Sequence, residues 1–179
     1  MIEKKETPIE GLFILTNNIF SDCRGSFKKL FAQEEFKTLN LDFDFKEIYY
    51  SINKKNVIRG MHFQIPPHDH IKMVYVIQGE ITDVCLDIRE NSKTYGKWFS
   101  VELSGKDDCY LYIPKGIAHG FASREDMSIV HYVQTSCYSK EHDCGIHYKS
   151  FGFDWNIAEP IISGRDASFP DIHYYKGVF

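Results

Sequence analysis

The chain has 179 residues, of which 43% are hydrophobic and 15% aromatic, with a formal net charge of −4. That length suits one domain (residues 1–179) with a sizeable core. The mild acidity and the lack of any basic run argue against a general nucleic-acid binder. No apolar run reaches the length of a membrane span, and MIEKKETPIE lacks the apolar segment of a signal peptide. The five cysteines, Cys23, Cys85, Cys109, Cys137 and Cys144, form no close C-x-x-C pair. They read as reduced thiols, and a cytoplasmic location is expected.

In chain order, residues 11–16 (GLFILT) read as a strand, 22–25 as a turn and 27–31 as a second strand. Residues 34–39 suit one short helix, 47–52 (EIYYSI) a strand, and 53–56 a turn into the stretch NVIRGMHFQ at 56–64. Pro66-Pro67 ends that strand, because proline cannot donate to a ladder. Strands then follow at short intervals. Residues 71–77 and 80–88 are expected to form a hairpin through Gln78-Gly79, followed by strands at 98–103, 109–113, 119–123 and 127–135. Many short strands with Gly/Pro punctuation and almost no helix predict an all-β sandwich or jelly-roll barrel. Its core spans about residues 11–151, with an irregular segment at 152–179 packing over it.

The stretch 56–64 organises the rest. Val57, Met61 and Phe63 suit a core; Arg59 and His62 do not. A cation in a buried strand is costly without a partner, and an anionic ligand in a cavity would supply one. Lys72 opens a largely apolar strand. Asp83, Cys85 and Asp87 share one face at period two, and the expected hairpin brings Asp83 or Asp87 close to Lys72.

RGMHFQIPP, KMVYVIQGEITDV, LDIR, YGKW, YIPKGIAHGF and ISGRD occur in this order. Together they resemble the dTDP-4-dehydrorhamnose 3,5-epimerase family over about residues 11–166. The resemblance implies a cupin-type jelly roll, usually a homodimer, that inverts carbons beside the C4 ketone of a nucleotide-linked 4-keto-6-deoxy sugar. It implies that His62 is the base, Asp166 its carboxylate partner, Lys72 the group at the C4 oxygen and Tyr132 the proton donor. His119, Arg59 and Arg24 match substrate contacts.

The chemistry is consistent with those residue types. A carbon beside a carbonyl can lose its proton, with charge flowing to the ketone oxygen. A histidine with an ordinary pKa of about 6.5 is a suitable base. A carboxylate on its other nitrogen fixes the tautomer and stabilises the imidazolium. A lysine stabilises the enolate oxygen, a tyrosine on the opposite face returns the proton, and no cofactor is needed. Strand alternation puts one of His131 and Tyr132 inward. Taken singly, each residue has a bland reading: Arg24 pairs with Asp22, Asp166 caps a turn, His119 lies on the surface.

Two other classes compete. A metal cupin would use His68-Asp69-His70 and His119, but the carboxylate that such sites carry is missing and Lys72 stands in the window. A sugar-binding jelly roll without catalysis would make Asp166 and Tyr132 coincidental.

The sequence departs from the resemblance around the expected substrate. Lys28 and Lys29 follow Phe27 where a glutamate is usual, and Glu47-Ile48-Tyr49-Tyr50-Ser51 replaces a Gln-x-Asn-His-Ser run. Asp143 replaces a glutamate and Arg165 a lysine. Lys29, Glu47, Tyr49, Asp143 and Arg165 are therefore expected to contact a non-standard substrate. A GDP-linked 4-keto-6-deoxy heptose or hexose for surface polysaccharide is the expectation, with Glu47 facing a guanine edge. Inversion at C3 alone, at C5 alone or at both is left open.

Overall fold

The computed structural model describes all residues, 1–179. Two antiparallel sheets face each other. The first contains β1 (Ile2–Glu6), β2 (Phe13–Asn17), β5 (Glu47–Asn53), β7 (Lys72–Gln78), β10 (Cys109–Ile113) and β12 (Ser128–Gln134). Its spatial order is β1-β2-β10-β7-β12-β5. The second contains β6 (Ile58–Gln64), β8 (Glu80–Asp87), β9 (Trp98–Ser104), β11 (Ile117–Ser123) and β13 (Asp143–Gly145), in the order β13-β6-β11-β8-β9. A separate hairpin pairs β3 (Ile19–Asp22) with β4 (Gly25–Lys28). Helix α1 (Gln33–Thr38), helix α2 (Gly164–Ala167) and one 3-10 turn complete the chain. The architecture is the all-β jelly roll that the sequence predicts.

Three apolar clusters fix these layers. Val74, Val76, Ile81, Leu111, Phe121 and Val130 fill the space between the sheets. Ile58, Met61, Phe63 and Leu86 lie on the outer face of the five-stranded sheet, beneath Trp155, Ile172 and other residues of segment 152–179. Phe36 of α1 packs on Leu15, Tyr110, Tyr112 and Met73, covering part of the other sheet's outer face. Strands β8 and β11 are thus covered on both sides, so they are buried almost throughout. By contrast, β5 turns Ile48, Tyr50 and Ile52 to the outside, where they are exposed. No helix is long and apolar enough to cross a membrane.

The expected hairpin of residues 71–77 and 80–88 does not form. β7 pairs with β10 and β12, whereas β8 pairs with β11 and β9 in the opposite sheet. Gly79, at φ +79°, turns the corner between sheets, and a Cβ there would stand 2.4 Å from Ser128 Oγ. Lys72 and Asp83 therefore approach across the barrel, not along a hairpin. Asp87 is engaged elsewhere, with Arg89, Ser92 and Thr94. The central strand starts at Ile58, and Val57 only bridges Ile161. Sequence reasoning overlooked β1 because IEKKE holds one apolar residue and shows no alternation.

Candidate active site

The base wall begins at β6. Strict alternation would send Arg59 and His62 to opposite faces. The pairing of β6 with β11 shifts at Gly60, whose φ is +133° and whose added Cβ would meet Gly120 Cα at 2.5 Å. Beyond this irregularity Met61 and Phe63 still join Ile58 on the outer face, and His62 turns inward. The site therefore depends on glycine at this position.

His62 Nε2 lies 3.0 Å from Asp166 Oδ1, and the Gly60 N–H donates to Asp166 Oδ2 at 3.0 Å. Asp166 arrives on α2, whose start is capped by Ser163: its hydroxyl accepts the Asp166 N–H at 3.0 Å. The Asp166 carboxylate is thus free to hold His62 instead of capping its own turn. Burial disfavours the Asp166 charge, but the bonds from His62 and Gly60 outweigh it and keep the carboxyl below its usual range. An ionised Asp166 accepts a hydrogen bond from the Nε2–H and leaves Nδ1 as the basic atom. The Phe169 ring meets His62 edge-on at 5.6 Å and fixes its plane.

Beside His62 in the β6–β11 register stands His119. It is buried, and its Nε2 is 2.7 Å from Asp83 Oδ2. Burial lowers its pKa despite Asp83, so the ring is neutral and donates to the carboxylate. The surface location considered for His119 is not what the fold produces.

The opposite wall is a cross-strand ladder. β12 and β5 pair Gln134 with Glu47 and Tyr132 with Tyr49. The Tyr132 and Tyr49 rings stack at 4.7 Å and 19°. The Tyr132 hydroxyl is 3.2 Å from Ser51 Oγ, to which Asn53 Nδ2 also donates at 3.1 Å. Arg59 Nε in turn donates to Asn53 Oδ1 at 2.7 Å. Burial raises the Tyr132 pKa well above that of a free phenol, so it keeps its proton. His131 faces the other way, against Tyr75.

Lys72 is buried at the start of β7, and no salt bridge holds it. Burial lowers its pKa, opposed by the more distant Asp143 and Asp83. His70 lies alongside; burial and Lys72 push its pKa down to about 3, so it is neutral.

Between the walls is a cavity of about 240 Å³, lined by Glu47, Tyr49, His62, Phe63, Gln64, His70, Lys72, Gln134, Tyr138, Asp143 and Arg165. An adjoining recess reaches His119. The fold thus gathers His62, Lys72, Glu47, Tyr49, Asp143 and Arg165 around one space, with Tyr132 stacked behind Tyr49. Asp143 and Arg165 pair with each other at 2.6 Å. Arg59 is exposed and sits along the ladder, so it is not the buried cation its apolar neighbours suggest.

Arg24 and Lys29 do not join this cavity. Arg24 is exposed on the β3–β4 hairpin and pairs with Asp22 at 2.6 Å; Lys29 is exposed after β4. His68 lies tilted against His142 at 4.6 Å, whereas His70 and His119 line one recess together with Lys72, and His119 holds Asp83. Sequence reasoning overlooked Gln64, Gln134 and Tyr138, and weighed His70 only as a metal ligand. Gln64 and Gln134 are two residues past His62 and Tyr132, so period two points to them. Tyr138 comes from a loop and carries no such signal.

The dTDP-4-dehydrorhamnose 3,5-epimerase profile matches residues 6–173. The chain belongs to that family. It is 40% identical to the dTDP-4-dehydrorhamnose 3,5-epimerase of Escherichia coli (strain K12) over 164 residues, 89% of each chain. The epimerase of the same name from Shigella flexneri is 35% identical over 176 residues, 95% of this chain and 97% of its own. Among solved structures, the dTDP-6-deoxy-D-glucose-3,5-epimerase of Legionella pneumophila in complex with dTDP-4-keto-L-rhamnose superposes with a TM-score of 0.93. The two are 33% identical, over 98% of this chain and 95% of that one. The protein is a sugar epimerase, an isomerase of the dTDP-4-dehydrorhamnose 3,5-epimerase family.

Proposed function

We propose that the protein is a dTDP-4-dehydrorhamnose 3,5-epimerase. The observation that carries this reading is the His62–Asp166 pair facing Lys72 across one cavity, with the protonated Tyr132 on the wall opposite His62. His62 Nδ1 removes the proton beside the C4 ketone, and Asp166 stabilises the imidazolium that forms. The Lys72 ammonium meets the charge that develops on the C4 oxygen. Tyr132 then delivers a proton from the opposite face, and the carbon is inverted. Repeating the cycle at the second carbon flanking the ketone gives double inversion. His119 and Arg59 are substrate contacts in this reading.

A dTDP-linked substrate is favoured over the GDP-linked one that the sequence departures suggest. Asp143 and Arg165 differ from the usual glutamate and lysine yet pair with each other, the shorter acid matched by the longer base. Glu47 is taken up within the protein: it accepts the Tyr138 N–H at 2.5 Å and lies 3.5 Å from Gln134 Nε2. Both contacts engage Oε2, so only Oε1 remains for a guanine edge. Lys29 lies outside the cavity altogether. The cavity of about 240 Å³ holds the sugar, below the roughly 300 Å³ and more of sites that enclose a whole drug-sized ligand. The nucleotide then lies across the mouth, near Tyr138.

The working unit in this reading is a homodimer in the cytoplasm. Ile48, Tyr50, Ile52 and Ile77 form an exposed apolar stripe on the six-stranded sheet, and Phe20 and Phe27 are exposed on the hairpin that carries Arg24. A second copy covering the stripe would let Arg24 reach the partner's diphosphate. The five free thiols suit a reducing compartment.

The test is incubation in D₂O with dTDP- and GDP-linked 4-keto-6-deoxy sugars, followed by mass spectrometry. Two deuterons taken up from the dTDP-sugar are expected. One deuteron would reduce the reading to a single-carbon epimerase. Much faster turnover of the GDP-sugar would restore the GDP-linked assignment.

A further inference from the structure

We propose that Tyr49 is a positioning residue for the Tyr132 proton donor, an inference that rests on the epimerase reading above. The Tyr132 hydroxyl has one partner, Ser51 Oγ at 3.2 Å. A single hydroxyl contact does not fix the plane of a ring. The Tyr49 ring does, lying against Tyr132 at 4.7 Å and 19°. On another side of Tyr132 the nearest ring is His119, at 6.5 Å and nearly perpendicular. Removing the Tyr49 ring would leave Tyr132 room to swing.

The clamp is itself anchored. The Tyr49 hydroxyl donates to Gln134 Oε1 at 3.3 Å, and Gln134 Nε2 lies 3.5 Å from Glu47 Oε2. Gln134 and Tyr132 share the inward face of β12; Glu47 and Tyr49 share that of β5, directly across the ladder. Tyr49 is therefore tied to both strands, and its ring lies against Tyr132 at the wall of the cavity it lines.

The chemistry gives this arrangement a specific readout. Proton removal and return by His62 alone exchanges the substrate hydrogen for deuterium with retention. Inversion needs a proton from the opposite face, so it needs Tyr132 in place. Loss of the clamp should uncouple exchange from inversion, which a general loss of folding or of substrate binding would not do.

The experiment compares deuterium wash-in with formation of inverted product by NMR, in D₂O with the dTDP-linked 4-keto-6-deoxy sugar. In the wild type the two run together. In Tyr49→Ala and Tyr49→Leu, inversion is expected to fall roughly 10–100-fold relative to exchange, part of the roughly 10²–10⁴-fold that a positioned acid contributes. Tyr49→Phe keeps the stacked ring but loses the Gln134 anchor, so its ratio should stay much nearer the wild type than that of Tyr49→Ala or Tyr49→Leu. Adding Tyr49→Ala to Tyr132→Phe should cost no further inversion, because the residue to be positioned has lost its proton. A parallel fall of exchange and inversion in both Tyr49→Ala and Tyr49→Leu, or an unchanged ratio, overturns the proposal. A wild type that exchanges no proton with either nucleotide sugar overturns the epimerase reading and this inference with it.

Discussion

On the five-stranded wall both histidines stand on carboxylates, His62 on Asp166 at 3.0 Å and His119 on Asp83 at 2.7 Å. On the six-stranded wall Tyr132 contacts only neutral groups, Ser51 and the ring of Tyr49. The difference follows from what each wall does in the proposed cycle. A base gains a charge when it acts, so a counter-charge is built beside it. A phenol that donates from its neutral form needs orientation, and a cross-strand ladder supplies that without desolvating an ion. Lys72 is the exception on its wall: a buried cation with no salt bridge, held ready for charge that appears only during the reaction.

The largest expected effect breaks the charged wall. His62→Ala should remove exchange and inversion together, by roughly 10²–10⁴-fold in kcat. Asp166→Asn should approach that loss, because an amide no longer selects the reactive tautomer. Steady-state kinetics with unchanged circular dichroism would check both. If Asp166→Asn retained full activity, the counter-charge account of this wall would be wrong.

Next comes Lys72→Met. Activity should drop roughly 10²–10³-fold, as for loss of a preorganised electrostatic contact, while thermal stability rises by on the order of 1 kcal/mol because a buried charge is gone. Calorimetry and kinetics on the same sample separate the two. The useful ammonium form exists below the Lys72 pKa, which burial lowers. The alkaline limb of the wild-type rate profile should therefore fall below the ordinary lysine range near 10.4 and vanish in the variant.

A smaller effect concerns His70, which the cavity keeps neutral. In the unfolded chain it takes a proton near 6.5, but the fold resists this down to about 3. Its contribution to stability is complete above about 6.5 and is lost as pH falls towards 3. His70→Asn should flatten that part of the stability profile in chemical denaturation at stepped pH. Smallest is Arg24→Ala, on neither wall. A rise in KM of roughly three- to tenfold, as for one lost charge-assisted contact to phosphate, with kcat kept, is expected. An unchanged KM would leave the Asp22 pair as the whole role of Arg24.

Sequence reasoning reached the two walls unevenly. His62, Lys72, His119 and Asp166 sit in motifs whose order and residue types match the reaction, and Tyr132 lies in an alternating strand between them. It misread residues whose surroundings come from elsewhere in the chain. Arg59 looks buried from its apolar neighbours, but it is exposed and donates to Asn53 of the neighbouring sheet. Glu47 looks wholly open to a ligand, but the Tyr138 backbone, 91 positions away, engages one of its two carboxylate oxygens. Asp143 and Arg165 look like two separate departures until they are seen paired.

The sequence by itself determined the all-β class, the positions of most strands and the family to which the chain belongs. Alternation, Gly/Pro punctuation and short motifs are local properties, readable over a few residues. Tertiary structure alone decided which strands share a sheet, that Lys72 and Asp83 stand on opposite sheets of the barrel, and that Tyr49 lies on Tyr132. It also decided that α2 brings Asp166 to a histidine 104 residues earlier. Such contacts depend on register and closure, which come from packing the two sheets over a shared core, and no local stretch of sequence encodes them.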